Sequence, residues 1–172
     1  MRLRSLKILF SFVLLCFYSF VSAQYTIPEK PAILYPVYDE ANLLSQQEKE
    51  SLNSKLIEFE QSTSIEIAVI IISSVQGEDI NFVATMFGEK WKIGTKEFGN
   101  GVVLLIAKND REMSLQQSIG LEKNLTTTIC QHILDNIITP HFKENQFYSG
   151  IDLATSYIIN VVSKKPEENN NG

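Results

Sequence analysis

The sequence predicts an α/β protein, a three-layer α/β/α sandwich around a small mixed sheet. Three observations carry that expectation. Residues 65–72 and 101–107 are short runs, apolar at nearly every position and rich in β-branched residues, as strands covered on both faces are. Between them, residues 80–91 repeat apolar side chains at helical spacing. After the second run, Lys108-Asn109-Asp110-Arg111 has the turn chemistry that folds a third strand back on it.

In chain order, Arg2, Arg4 and Lys7 precede an uncharged apolar run over 8–20, and Val21-Ser22-Ala23 supplies small residues behind it. That order of positive flank, apolar core and small-residue site is a secretory signal peptide, with cleavage expected after Ala23 and a secreted or periplasmic product. The run is shorter than the roughly 20 residues that span a bilayer. Cys16 follows two leucines rather than the small residue a lipidated cysteine requires, so it is discarded with the signal. Residues 24–36 carry Pro28, Pro31 and Pro36 without a hydrophobic period and are expected as an extended lead-in, with the domain proper over 37–162.

Ser45-Gln46-Gln47-Glu48 forms a capping box, in which hydroxyl and carboxylate each satisfy a free backbone donor of a first helical turn. Leu52, Leu56 and Phe59 continue that helix to about Ser62. The strand over 65–72 follows. Gly77-Glu78-Asp79 then opens a helix whose Ile80, Val83, Ala84, Phe87 and Trp91 form one stripe and which Gly94 closes. The strands over 101–107 and 112–118 come next. Leu125, Ile129, Ile133 and Ile137 mark a third helix expected to end before Pro140, and Ile151, Ala154, Ile158 and Val161 a fourth. Residues 163–172, SKKPEENNNG, are polar and expected to be a disordered tail.

Removing 1–23 takes away three positive charges and leaves 12 Lys+Arg against 20 Asp+Glu, a mature net charge of −8. That balance argues against nucleic acid and anionic lipid, which select basic faces, and favours divalent cations or basic partners. No second apolar span follows the domain, so the mature form is expected without a membrane span. Cys130 alone survives processing; no intramolecular disulfide can form, and its place beside Ile129 predicts a buried thiol in a monomer. No CxxC, HExxH, GxGxxG or GKS/T motif is present. His132 and His141 flank Pro140 at a spacing unsuited to one metal on one helix face, and His132 reads as a core histidine. Trp91, Phe87, Phe142, Phe147 and Tyr148 read as core aromatics.

Loops at the carboxyl ends of parallel strands form the usual ligand crevice of an α/β sheet. Here that edge gathers Asp39 and Asn42 ahead of the first helix, Glu78 and Asp79 after the first strand, and Asn109, Asp110 and Arg111 after the second. Asp39, Glu78, Asp79 and Asp110 are the candidate metal ligands, for a hard divalent cation such as calcium. Arg111 is the candidate anion-binding residue. The same side chains also suit plainer roles, Asp39 and Asp110 in turns and Asp79 as a helix cap. Two functions compete: a calcium-binding interaction module of the cell envelope, and a metal-dependent acid phosphatase in which the cation polarises a phosphomonoester and Arg111 neutralises its charge. The corresponding partners are an envelope protein and a small phosphorylated ligand. Carboxylates sharing a cation repel one another without it, so Asn at position 39 or 110 is expected to leave the metal-free protein as stable or slightly more so.

The succession Val37-Tyr38-Asp39-Glu40-Ala41-Asn42-Leu43-Leu44-Ser45, Ile67 to Val69, Trp91-Lys92-Ile93-Gly94, Asn100-Gly101-Val102, Asp110-Arg111 and Gly120-Leu121-Glu122 resembles the TPM domain family. That family includes thylakoid-lumen and photosystem II repair proteins, secreted bacterial proteins and animal receptor modulators. The resemblance spans roughly residues 35–162. It implies an α/β/α sandwich, divalent metal binding as in some members, and the acid phosphatase activity of plant ones. By match to its motifs, Asp39, Asn100, Gly101, Asp110, Arg111, Gly120 and Glu122 are the positions carried over. Family members often have an acid in the third strand and a Gly-aromatic-Gly turn; this chain has Gln116 and Ser118-Ile119-Gly120 there.

Overall fold

The two apolar runs become the centre of a four-stranded sheet in the computed structural model of the chain, which describes residues 25–33, 35–95 and 99–164. The expected signal segment 1–23 and residues 165–172 of the expected tail lie outside the described residues. The strands β1 (Val37–Asp39), β2 (Glu66–Ile72), β3 (Gly101–Ala107) and β4 (Glu112–Gln117) lie in that order. β1, β2 and β3 run parallel, and β4 returns antiparallel to β3 with Ala107 opposite Glu112. β1 is absent from the sequence reading, which places Asp39 and Asn42 on a loop ahead of the first helix. Three residues carry too little period to declare a strand, and pairing with β2 makes it one, Val37 beside Val69. The Pro36 carbonyl accepts from Val69 N at 2.7 Å, and Asn53 Oδ1 accepts from Val37 N on the open side at 2.9 Å.

Successive side chains of a strand face opposite ways, so a strand apolar throughout needs cover on both faces. Ile67, Val69 and Ile71 of β2, with Val102, Leu104 and Ile106 of β3, pack under α1 (Gln46–Thr63) and the C-terminal helices. Ala68, Ile70 and Ile72, with Val103, Leu105 and Ala107, pack under α2 (Ile80–Trp91). The result is a three-layer α/β/α sandwich. The expected α2 stripe of Ile80, Val83, Ala84, Phe87 and Trp91 is buried throughout. The capping box forms as read: Ser45 Oγ accepts from Glu48 N at 3.4 Å and Glu48 Oε2 from Ser45 N at 2.7 Å.

α1 and α2 cover opposite faces although β1, β2 and β3 step across the sheet in one direction. Two parallel crossovers of that kind must have opposite hands, so one of them departs from the right-handed rule. The loops leaving the neighbouring strands β1 and β2 therefore part to opposite faces. In parallel sheets, such a parting opens a crevice at the carboxyl edge.

The lead-in packs more closely than its composition suggests. Ile27 is buried beside α2, Lys90 Nζ donates to the Ile27 carbonyl at 2.8 Å, and Trp91 Nε1 donates to the Pro28 carbonyl at 3.0 Å. The segment is a strap across α2, with Tyr25 against Phe87 at 6.2 Å between ring centroids.

The third helix does not stop before Pro140. α3 (Thr127–His132) passes into a wide-turned π segment, Ile133–Ile138, then α4 (Thr139–Lys143). In a regular α-helix the Pro140 ring would collide with the carbonyl of Asn136. Widening the turns removes the collision, and Thr139 N finds the carbonyl of Leu134, five residues back. The last helix, α5 (Phe147–Val162), is tied to α1 through Lys55 Nζ, 2.6 Å from Asp152 Oδ1 and 2.7 Å from Thr155 Oγ1. His132 is exposed on α3, not in the core, with Asn136 Nδ2 3.2 Å from its Nδ1.

Cys130 is buried as expected, its Sγ 3.3 Å from Gln117 Oε1. Burial pushes its thiol from 9.0 up to about 11. The folded state thus holds the neutral form; this contribution is whole below the unfolded value and is lost as pH rises through about 11. At neutral pH the native thiol should resist a disulfide exchange reagent such as DTNB and react stoichiometrically once guanidinium unfolds the chain. Rapid reaction of the native protein would place the thiol at the surface.

Candidate functional site

Three loops meet at the carboxyl edge of the parallel strands, and hydrogen bonds between them fix their order. The loop after β2, Ser73 to Val75, lies in the middle. From the β1 side, Glu40 reaches it, Oε2 accepting from Ser73 N at 3.3 Å and Oε1 from Ser73 Oγ at 3.4 Å. From the β3–β4 turn, Asp110 reaches it, Oδ1 accepting from Ser74 Oγ at 2.8 Å and Oδ2 from Val75 N at 2.7 Å. Lys108 N and Asn109 N complete the seam by donating to the carbonyls of Ile72 and Ser73, each at 2.9 Å.

The expected ligands separate on this frame. Asp39 ends β1 and turns back on its own loop, its oxygens accepting from Leu43 N at 3.0 Å and Leu44 N at 2.9 Å. That bracket permits the left-handed backbone at Asn42, φ 49°. Asp79 caps α2, accepting from Phe82 N at 2.9 Å. Glu78 lines a shallow cleft of about 260 Å³ with Tyr25 and Phe82, on the side of the lead-in. The turn and cap roles that the sequence also allows are thus present in the geometry. Glu40 and Ser73-Ser74 were not among the site residues expected from the sequence; the signal was an acid directly after Asp39 and a hydroxyl pair closing an apolar strand.

Among the described residues no three Asp, Glu, His or Cys side chains stand together as a preformed metal cage. The donor chemistry at the edge nonetheless fits a hard cation, since it consists of carboxylate, hydroxyl and carbonyl oxygens. Each carboxylate oxygen of Asp39 and Asp110 has one hydrogen bond and keeps lone-pair capacity.

The remaining motif residues lie at the other edge, where β3 begins. Asn100 is buried; its Oδ1 accepts from Thr95 N at 2.7 Å and its Nδ2 donates to the Ser64 carbonyl. A Cβ on Gly101 would overlap the Ile93 carbonyl group. Gly120 sits in the single turn Ile119–Leu121, and Glu122 is exposed behind it. Gln116 points to α2: its Nε2 donates to Asn81 Oδ1 at 3.1 Å and to Ser114 Oγ at 2.9 Å. It stands four residues along β4 from the edge residue Glu112, roughly 13 Å at strand rise. Arg111, with φ 58° in the β3–β4 turn, lines a separate groove on the α1 face together with Lys108 and Lys143.

Comparison with known proteins agrees with this architecture. The N-terminal domain of a P. gingivalis protein superposes with a TM-score of 0.69 at 24% identity, covering 74% of this chain and 82% of that one. The BA42 protein of the psychrophilic bacterium Bizionia argentinensis gives 0.62 at 18%, covering 73% and 85%. The N-terminal domain of the cg2496 protein of Corynebacterium glutamicum gives 0.57 at 17%, covering 82% and 90%. At these identities the likeness is one of fold. No curated protein matches the chain. Among the described residues no helix is long and apolar enough to cross a membrane. The family model described as TPM domain matches residues 37–161, and the chain belongs to that family.

Proposed function

We propose that this domain is a divalent-cation-dependent interaction module of the cell envelope, with calcium as the cation and Asp39, Glu40 and Asp110 supplying its carboxylates. The observation that carries the reading is the clamping of Ser73-Ser74 between Glu40 and Asp110, next to Asp39, at the edge where the β1 and β2 loops part. Calcium accepts six to eight oxygens, carbonyls and hydroxyls among them, so carboxylates on separate loops can be completed by backbone and water. Calcium would tie together three loops now joined by backbone amide and serine donors and by one bond from Lys108 Nζ to the Ala41 carbonyl.

The test is calorimetry of the protein and of Asp39→Asn and Asp110→Asn, with and without calcium. At a hundredfold excess over Kd the cation should stabilise the wild type by about 2.7 kcal/mol, which raises the melting temperature by roughly 5–10 °C for a chain of this size. The metal-free variants should be less stable than wild type, by about 1–3 kcal/mol each, because an amide offers an N–H where two donors now point at a carboxylate. This corrects the expectation of neutral or stabilising substitutions. Each carboxylate accepts from two donors that hold its loop, and the loss of an acceptor opposes any relief of repulsion. Both variants should also lose the calcium shift. No shift at millimolar calcium, or a full shift retained in both variants, overturns the reading. Calcium-dependent turnover of p-nitrophenyl phosphate in a parallel assay would move it to the phosphatase.

A further inference from the structure

We propose that the groove between the β3–β4 turn and the start of α5 binds an organic carboxylate with an apolar body, without any divalent cation. The groove holds about 740 Å³, inside the range of small-molecule sites. Its floor is apolar: Leu43, Ile106 and Met113 lie beside Phe142 and Phe147, whose rings meet edge to face at 5.0 Å. Its rim is cationic, with Lys108, Arg111 and Lys143 against the single acid Glu112. In a chain with a net charge of −5 that local excess runs against the whole.

Two features make the rim available. Among the described residues, Arg111 and Lys143 have neither an ion pair nor a hydrogen bond from their side chains. Lys108 Nζ gives one bond, to the Ala41 carbonyl at 3.1 Å, and keeps further donors. The neighbouring Asp110 makes no ion pair with Arg111 among the described residues; its oxygens accept from Ser74 and Val75 on the β2 loop. Asp39, Glu40 and Asp110 do not line the groove, so its chemistry is separate from that of the acidic edge.

The two halves of the lining select the ligand class together. Inorganic phosphate would meet the rim and leave the floor wet; a neutral amphiphile would cover the floor and leave three cations unpaired. A carboxylate matches the planar fork of an arginine, and an attached apolar body removes the aromatic floor from water.

Decanoate, below its micellar concentration and in EDTA, is the probe, with decanol and inorganic phosphate as comparison ligands. Titration calorimetry and NMR should show one decanoate site, with shifts at Leu43, Met113, Phe142 and Phe147, and affinity at least tenfold above that for decanol or phosphate. The exposed double substitution Arg111→Gln, Lys143→Gln should weaken decanoate at least tenfold and leave decanol unchanged. Decanol binding as tightly as decanoate, phosphate displacing decanoate at equal concentration, shifts confined to other surfaces, or an unaffected double variant each overturns the proposal. Because EDTA is present throughout, the outcome is independent of whether the acidic edge takes calcium.

Discussion

Gly94→Ala is expected to lower stability by roughly 2–5 kcal/mol, the sum of a left-handed backbone that costs an L-residue about 1–2 kcal/mol and a steric overlap of about 1–3 kcal/mol. Gly94 has φ 76°, and a Cβ there would come within 2.7 Å of Gly101 Cα and closer still to Gly101 N. These are backbone atoms at the start of a central strand and have no room to move. The chain leaving α2 crosses the beginning of β3 at this point, with glycine on both sides of the contact. Gly77→Ala is the control. Its φ is 87°, equally left-handed, but nothing lies within 4 Å of the added carbon, so only the backbone cost of about 1–2 kcal/mol applies. For a domain of this size the two variants should differ in melting temperature by on the order of 5 °C. Equal melting temperatures would mean that the crossing is looser than described.

Trp91→Ala should cost about 3–5 kcal/mol. The side chain is fully buried, with its ring edge-on to Phe87 at 4.9 Å and to Tyr38 at 5.0 Å. It thereby joins α2 to β1 and, through Nε1, to the strap at Pro28. Trp91→Phe separates these roles. Phenylalanine keeps most of the apolar volume and removes the donor, so global stability should fall by only about 1–2 kcal/mol. The strap should loosen more than the core. Limited proteolysis should then cut within residues 25–33 well before any other site, a pattern not expected of the wild type. Cleavage rates rising uniformly along the chain would show that the strap has no separate dependence on this bond.

What could be read from the sequence was what depends on near neighbours. β2 and β3 declare themselves because nearly every residue faces a core. α1 declares itself through Ser45 and Glu48, and α2 through five side chains that all find the interior. β1 could not be read, since its three residues become a strand only by lying beside β2. The third helix was read with the wrong period. A regular spacing selects Ile137 as the inward residue, whereas Ile138 is the one fully buried, five positions after the equally buried Ile133. At the carboxyl edge, the loop positions of Asp39, Asp79 and Asp110 were legible. Which way each carboxylate turns was not, because that depends on backbone donors that sequence spacing does not place.

The π segment also changes what the chain beyond it presents. Each wide turn takes up about one more residue than an α-turn, so the helix emerges from Ile138 out of phase with the one that entered at Thr127, as if a residue had been spliced in. Phe142 and Lys143 inherit that rotation, and both line the groove under Arg111. Pro140 thus acts on a surface it does not line: by forbidding the tighter winding, it dials an aromatic ring and a positive charge round to the same side of the molecule.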